Sequence, residues 1–412
     1  MDNQTLIPHL FRTEYRKITT VLCKLFGIEH IEIAEDIASD TFLLASESWG
    51  VKGIPENPTA WLYTVAKNKA KDYLKRNKIF TEKVSRELRQ SASETNEIEI
   101  DLTDKNLSDT QLQMLFAICH PSIPVEAQIG LALRILCGFG IDEIADAFLT
   151  NNETITKRLF RAKQKLRQEK VQIEFPSETE IDKRLETVLL TLYLLFNEGY
   201  YSSKEDNKVR TDLCLEAMRL TYLLTENSAT NKPFVSALLS LMCFHSSRFE
   251  ARTNEKGETV LYQDQDTSLW NAELIERGEY YLNKASSGNE LTKYHLEAGI
   301  GYWHTIKEDT QEKWENILQL YNKLLQIEYS PMAALNRTFA LSKANGNAVA
   351  IVEAEKLQLT HNYLYHSLLG NLYTDIENPK AINHFKTAMK LSKSASDKKL
   401  FSNKIFELEE KG

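Results

Sequence analysis

The chain has 412 residues, 42% of them hydrophobic and 26% charged, with 50 Lys and Arg against 58 Asp and Glu. This is globular composition in a chain too long for one ordinary core, so two or three domains are expected, and a low content of 15 Gly and 9 Pro points to an all-α fold. A secretory signal is not expected, because the N-terminal apolar patch is flanked by charges and lacks a small-residue cleavage site. Nor is a membrane span, because the longest apolar run, VLLTLYLLF at 188–196, is far short of the roughly 18 residues required. Five widely spaced cysteines, Cys23, Cys119, Cys137, Cys214 and Cys243, make no disulfide framework and suit a reducing cytoplasm. Positions 1–176 hold 23 basic and 25 acidic residues, and the remainder holds 27 and 33, so a polyanion would have to meet local patches.

Apolar residues recur at helical spacing from Leu6 to about Trp49, which predicts two or three helices. VKGIPENP (51–58) reads as a loop, and Asn57 followed by Pro58 marks the start of a further helix, the Asn capping and the Pro at the first helical position. Hydrophobicity falls after Asn77, and the acidic, aromatic-free stretch 90–111 reads as a linker. Pattern returns at Leu112 and runs through two short apolar segments into a basic helix ending near Arg167. A boundary is expected near Pro176, followed by Ser177 and Glu180 as a capping box. Beyond it helix follows helix, and LLGNLYTDIENPKAINHFKTAM (368–389) approaches the small-and-large pattern of a tetratricopeptide hairpin. The expected division is 1–80, an acidic linker at 81–111, 112–176, and a helical domain at 177–412.

Two segments suggest nucleic-acid chemistry. In AWLYTVAKNKAKDYLKRNK (60–78), Leu62, Val65, Ala66, Ala70, Tyr73 and Leu74 share a stripe, while Lys67, Lys71, Lys75 and Lys78 fall toward solvent,. A solvated lysine face accounts for the charges. Contact with unpaired bases accounts for them together with Trp61, Tyr63 and Tyr73, since aromatic rings stack on bases. The second segment pairs GIDEIADAF (140–148), with Ile144, Ala145 and Phe148 inward, with a helix opened by a capping box at Thr150 and Glu153. Its buried stripe is Ile155, Leu159, Ala162 and Leu166, and its outer face carries Thr154, Lys157, Arg158, Arg161 and Lys165. Helix, short turn and basic helix form the helix-turn-helix arrangement, whose second helix reads base edges. No phosphate loop, zinc motif or nucleophile elbow occurs, so neither an enzyme nor a cofactor is expected. Cys119 and His120 read as packing residues, and His295 and His304 have the wrong phase to share a metal.

AEDIASDTFLLASESWG, NPTAWLYTVAKNKAKDYLKR and TKRLFRAKQKLR, in that order, resemble the two domains of bacterial sigma factors of the extracytoplasmic-function class. CHPSIPVEAQIGLALRI, LYLLFNEGYYSS, LYQDQDTSLWN and PMAALNRTFAL resemble a subgroup with a long C-terminal helical extension. The resemblance implies that core RNA polymerase is a partner, through its β' clamp and β flap, with Glu35, Asp36, Asp40, Phe42 and Leu43 contacting the clamp. It implies that Trp61, Tyr63, Lys67, Lys71, Lys75 and Arg76 serve the -10 promoter element, and that Asn152, Glu153, Thr154, Lys157, Arg158, Arg161 and Lys165 serve the -35 element. The acidic linker would lie in the RNA channel, and the extension, with its NEGYY segment (197–201), would regulate. Two departures stand out: Ser39 occupies the place of a usual Gln, and Asn151 and Asn152 replace a frequent Pro and Glu. The competing reading is a helical-repeat interaction protein that uses an ordinary DNA-binding helix-turn-helix as a tether.

Overall fold

The computed structural model describes residues 3–77, 104–148, 150–200, 210–252, 260, 262–392 and 394–410. Lys78, most of the expected linker and Tyr201 lie outside them. Among the described residues the protein is all-helical and falls into two compact units, Met1–Leu195 with Glu226–Thr230, and Phe196–Thr225 with Asn231–Gly412.

In the first unit, α1 (Asn3–Phe26) packs against α2 (Ile31–Lys52) and α3 (Pro58–Asn77). Gly27, at φ +88°, makes the turn between α1 and a short 3-10 segment, Ile28–His30, a backbone conformation that favours glycine. Asn57 caps α3 as expected, its Oδ1 accepting from the Ala60 N–H at 2.9 Å. The fourth helix, α4 (Asp104–Ile118), begins inside the expected linker. Its first turns bury Leu107, Thr110 and Gln111, a mainly polar face that hydrophobic periodicity does not register. Helix α5 (Val125–Leu131) runs into a π-turn, Ala132–Leu136, closed by the Cys137 N–H on Ala132 O.

Helices α6 (Ile141–Ala147) and α7 (Asn152–Gln168) follow. The α7 cap is Asn151, which accepts from the Thr154 N–H at 2.8 Å, and not Thr150. Thr150 instead donates its N–H to Ala145 O, so its backbone belongs to the end of α6. Helix α8 (Ile181–Tyr200) carries the first unit past the expected boundary at Pro176. Arg184 donates to Phe116 O, and the Thr191 hydroxyl donates to Oε1 of Gln128, which is buried.

In the second unit, α9 (Thr211–Glu226) precedes α10 (Pro233–Ser246), which is buried along most of its length and packs against α11 (Ala272–Ala285) and α12 (Lys293–Trp303). The chain continues as α13 (Gln311–Ile327), α14 (Pro331–Asn345), α15 (Asn347–Lys356), α16 (Tyr363–Tyr373), α17 (Asn378–Leu391) and α18 (Ala395–Glu410), each packed on the one before. In the α16–α17 pair Gly370 faces Phe385, and a Cβ at 370 would stand 2.7 Å from the Phe385 ring. The pairing therefore requires the smallest residue opposite the largest.

Candidate functional site

Helix α2 presents an outward row spaced by four, three and four residues: Asp36, Asp40, Leu43 and Glu47, all exposed, with Leu44 beside it. That spacing keeps them on one face. Two residues expected on this face are not there. Phe42 is buried against Phe11, with ring centroids 5.0 Å apart. Glu35 is also buried, its carboxylate accepting from Arg134 Nε at 2.7 Å and Lys163 Nζ at 2.8 Å. Glu32 adds an ion pair with Arg167. The cause is tertiary: α7 lies beside the start of α2, and a buried carboxylate persists only with counter-charges.

Helix α3 places Leu62, Ala66, Ala70 and Leu74 in the core, as its stripe predicts. Its aromatics are more engaged than expected. Trp61 is half-buried edge-on to Trp49 at 5.3 Å, Tyr63 donates its hydroxyl to Glu14 Oε2 at 2.5 Å, and Tyr73 packs on Phe26. Lys67 and Lys71 are half-buried, whereas Lys75 and Arg76 are exposed. Lys69, which the sequence does not single out, pairs with Asp40 at 3.1 Å.

In α7 the stripe Ile155, Leu159, Ala162 and Leu166 is buried. Asn152, Glu153, Thr154, Lys157, Arg161 and Lys165 are exposed, as is the apolar Phe160. Lys157 pairs with Glu153 and Lys165 with Glu169 on the surface, contacts that are cheap to break on binding an anion. Arg158 is half-buried over the Phe148 ring, 5.2 Å from its centroid. Phe148 is correspondingly half-buried rather than a core residue.

The sequence did not distinguish Lys163 and Arg167 from the other cations of α7. Lys163 directly follows the stripe residue Ala162, and that edge position is the only local sign that it turns inward. Cys119 is buried and His120 Nδ1 lies 2.8 Å from Ser122 Oγ, so both pack as expected. Tyr200 of NEGYY is buried in the second unit beneath the Arg252 guanidinium, 3.8 Å from its ring centroid, so it belongs to the core rather than to a contact surface. Among the described residues no cluster of three or more His, Cys, Asp or Glu is placed to hold a metal, and no helix is long and apolar enough to cross a membrane.

Residues 10–79, which contain most of α1 and all of α2 and α3, match the family model described as sigma-70 region 2. Residues 184–286, from α8 through α11, match a family of unknown function, DUF6596. Over 376 residues the chain is 32% identical to an uncharacterized protein of Rhizobium meliloti (strain 1021), a similarity covering 89% of this chain and 88% of that one. No solved structure matches it significantly. The chain belongs to the same family as that Rhizobium meliloti protein, and a sigma-70 region 2 domain forms its N-terminus.

Proposed function

We propose that the protein is an alternative sigma factor of the extracytoplasmic-function class, which binds core RNA polymerase and directs it to a set of promoters. The observation that carries this reading is the coincidence of the region 2 match with α1–α3, whose outward surface has an acidic and apolar row on α2 and a basic end on α3. In this reading Asp36, Asp40, Leu43 and Glu47 meet the β' clamp, while Glu35 and Phe42 support that face from within. Lys75 and Arg76, flanked by Lys67 and Lys71, hold phosphates near the -10 element, with Trp61 at the opposite end of α3. The exposed face of α7 reads the -35 element from Asn152, Glu153, Thr154, Lys157 and Arg161, with Lys165 on the backbone. The polymerase performs the chemistry, so the chain needs no catalytic residue. The helical pairs from α13 onward, tetratricopeptide-like in the Gly370–Phe385 contact, act as a regulatory extension.

The test is transcription of a fragmented genomic library by core RNA polymerase with and without the full-length protein, with the 5' ends mapped. New start sites sharing spaced upstream motifs are expected. A start-site map unchanged by the protein, under conditions where it binds the polymerase, would remove the reading.

A further inference from the structure

The second unit holds a cavity of about 420 Å³ between the loop before α11, the α12–α13 connection and helices α13 and α14. An adjoining pocket of about 150 Å³ shares Tyr262, Trp314 and Phe339 with it. The larger volume falls in the range of small-molecule sites, which are apolar clefts with a few placed polar groups. The loop is the LYQDQDTSLWN segment (261–271), which the transcription reading leaves without a role.

The wall is unusual in charge. Lys313 is 1% exposed, and its ammonium donates to Tyr262 Oη at 2.9 Å and Ile306 O at 2.7 Å. An ammonium has three donors, and among the described residues no carboxylate lies within ion-pair distance of this one. Burial lowers its pKa, with Asp309 acting in the opposite direction, as expected for a cation short of counter-charge. Lys307 and Lys343 also line the cavity, against the single carboxylate of Asp309, which is 3.6 Å from Lys343 and accepts from the Trp314 indole N–H.

Among the described residues, polar groups on the same wall lack partners. Trp270 is 8% exposed, yet no described residue accepts from its indole N–H, and none donates to the buried Gln265 Oε1. A buried donor left unmade is destabilising, and a ligand acceptor would relieve it. The remaining surface is flat and aromatic: Trp314 meets Phe339 edge to face at 5.5 Å, and Tyr262 lies at 26° to Trp270.

We propose that this cavity binds a small planar organic anion of the aromatic carboxylate class, its carboxylate met by Lys313 and the Trp270 N–H, and its ring by Tyr262, Trp314 and Phe339. The proposal stands on the second unit alone and does not depend on the transcription reading. If that reading also holds, the cavity is an input through which a small molecule sets the activity.

The test is calorimetric titration of the full-length protein with benzoate, 1-naphthoate and indole-3-carboxylate, with their neutral amides, and with inorganic phosphate. At least one carboxylate is expected to bind one to one with Kd below about 1 mM, its amide about tenfold or more weaker. Because Lys313→Met removes a core contact and risks misfolding, Trp270→Phe and the half-exposed Lys343→Met serve as variants. Each should weaken the carboxylate roughly fivefold or more, a loss of about 1 kcal/mol at 1.4 kcal/mol per decade, and Lys343→Met, which removes only charge, should leave the amide unchanged. The proposal is overturned if no carboxylate binds one to one by about 10 mM, if amide and carboxylate bind alike, or if phosphate competes equally well.

Discussion

The resemblance placed Glu35 with Asp36 and Asp40 on an exposed face, and its burial between Arg134 and Lys163 changes what its substitution should do. Removing one member of a buried ionic cluster strands the others, typically at about 3 kcal/mol or more, whereas replacing both partners with apolar residues is often nearly neutral. Glu35→Ala is therefore expected to lower the stability of the first unit by about 3 kcal/mol in urea unfolding, with Glu35→Leu/Arg134→Met/Lys163→Met, which removes both cations together with the carboxylate, recovering most of the loss,. A triple variant as unstable as the single one would show that packing, not the stranded charges, sets the effect. His304 gives a residue-scale prediction for the second unit. Burial first, then Arg248 and Lys313, pull its pKa down to about 3, against about 6.5 in an unfolded chain. The folded state therefore holds the ring neutral, and the unfolded state binds the extra proton as pH falls. The contribution is complete above about pH 6.5 and is lost toward pH 3 at about 1.4 kcal/mol per pH unit. Between pH 6.5 and 5 the wild type should lose roughly 2 kcal/mol more than His304→Asn. Parallel stability curves for the two proteins would mean that folding does not lower the pKa of His304.

Helix α7 separates what a local pattern encodes from what only the fold decides. The apolar stripe and the exposed Lys157, Arg161 and Lys165 follow from a 3.6-residue period and were legible. The inward turn of Lys163 and Arg167 was not, because their partners Glu35 and Glu32 lie more than a hundred residues earlier and no local rule brings them together. Likewise Lys313 sits four residues before Ile317 and eight before Tyr321, on the buried stripe of α13. A lysine in that phase is the sequence signal for the cavity, but its meaning depends on the Tyr262 loop folding over it. If α7 reads DNA as proposed, the consequence is a graded effect on DNA binding. Each cation that neutralises a phosphate contributes about 0.9 to the slope of log K against log salt. Lys157→Ala/Arg161→Ala is therefore expected to flatten the slope by about 2 on duplex DNA, measured by anisotropy, while Lys323→Ala leaves it unchanged. Equal slopes for the two variants would take α7 out of the DNA interface.

At the scale of the first unit, the contacts that bury Glu35 limit how the proposed function can operate. Lys69 ties α3 to Asp40, and Lys163 ties α7 to Glu35, five residues earlier on the same helix. At 1.5 Å per residue, the far ends of α3 and α7 lie within about 60 Å of each other. Promoter elements centred near -10 and -35 are separated by about 85 Å of duplex at 3.4 Å per base pair. On the proposed reading the closed unit cannot span both, so α7 would have to part from α2 before a promoter is engaged, exchanging the Glu32 and Glu35 ion pairs for contacts with polymerase and DNA. Energy transfer can follow this opening, because the native cysteines are buried and burial holds those of Cys119, Cys214 and Cys243 at pKa values of about 12, which leaves their thiols unreactive. Dyes placed at the exposed positions Lys24→Cys on α1 and Gln168→Cys at the end of α7 should transfer efficiently in the free protein. Transfer should be lost when core polymerase and a promoter recovered from the transcription assay are added together. Efficient transfer persisting in a complex that is actively transcribing would mean that α7 stays on α2, and the -35 element would then have to be read by another part of the chain.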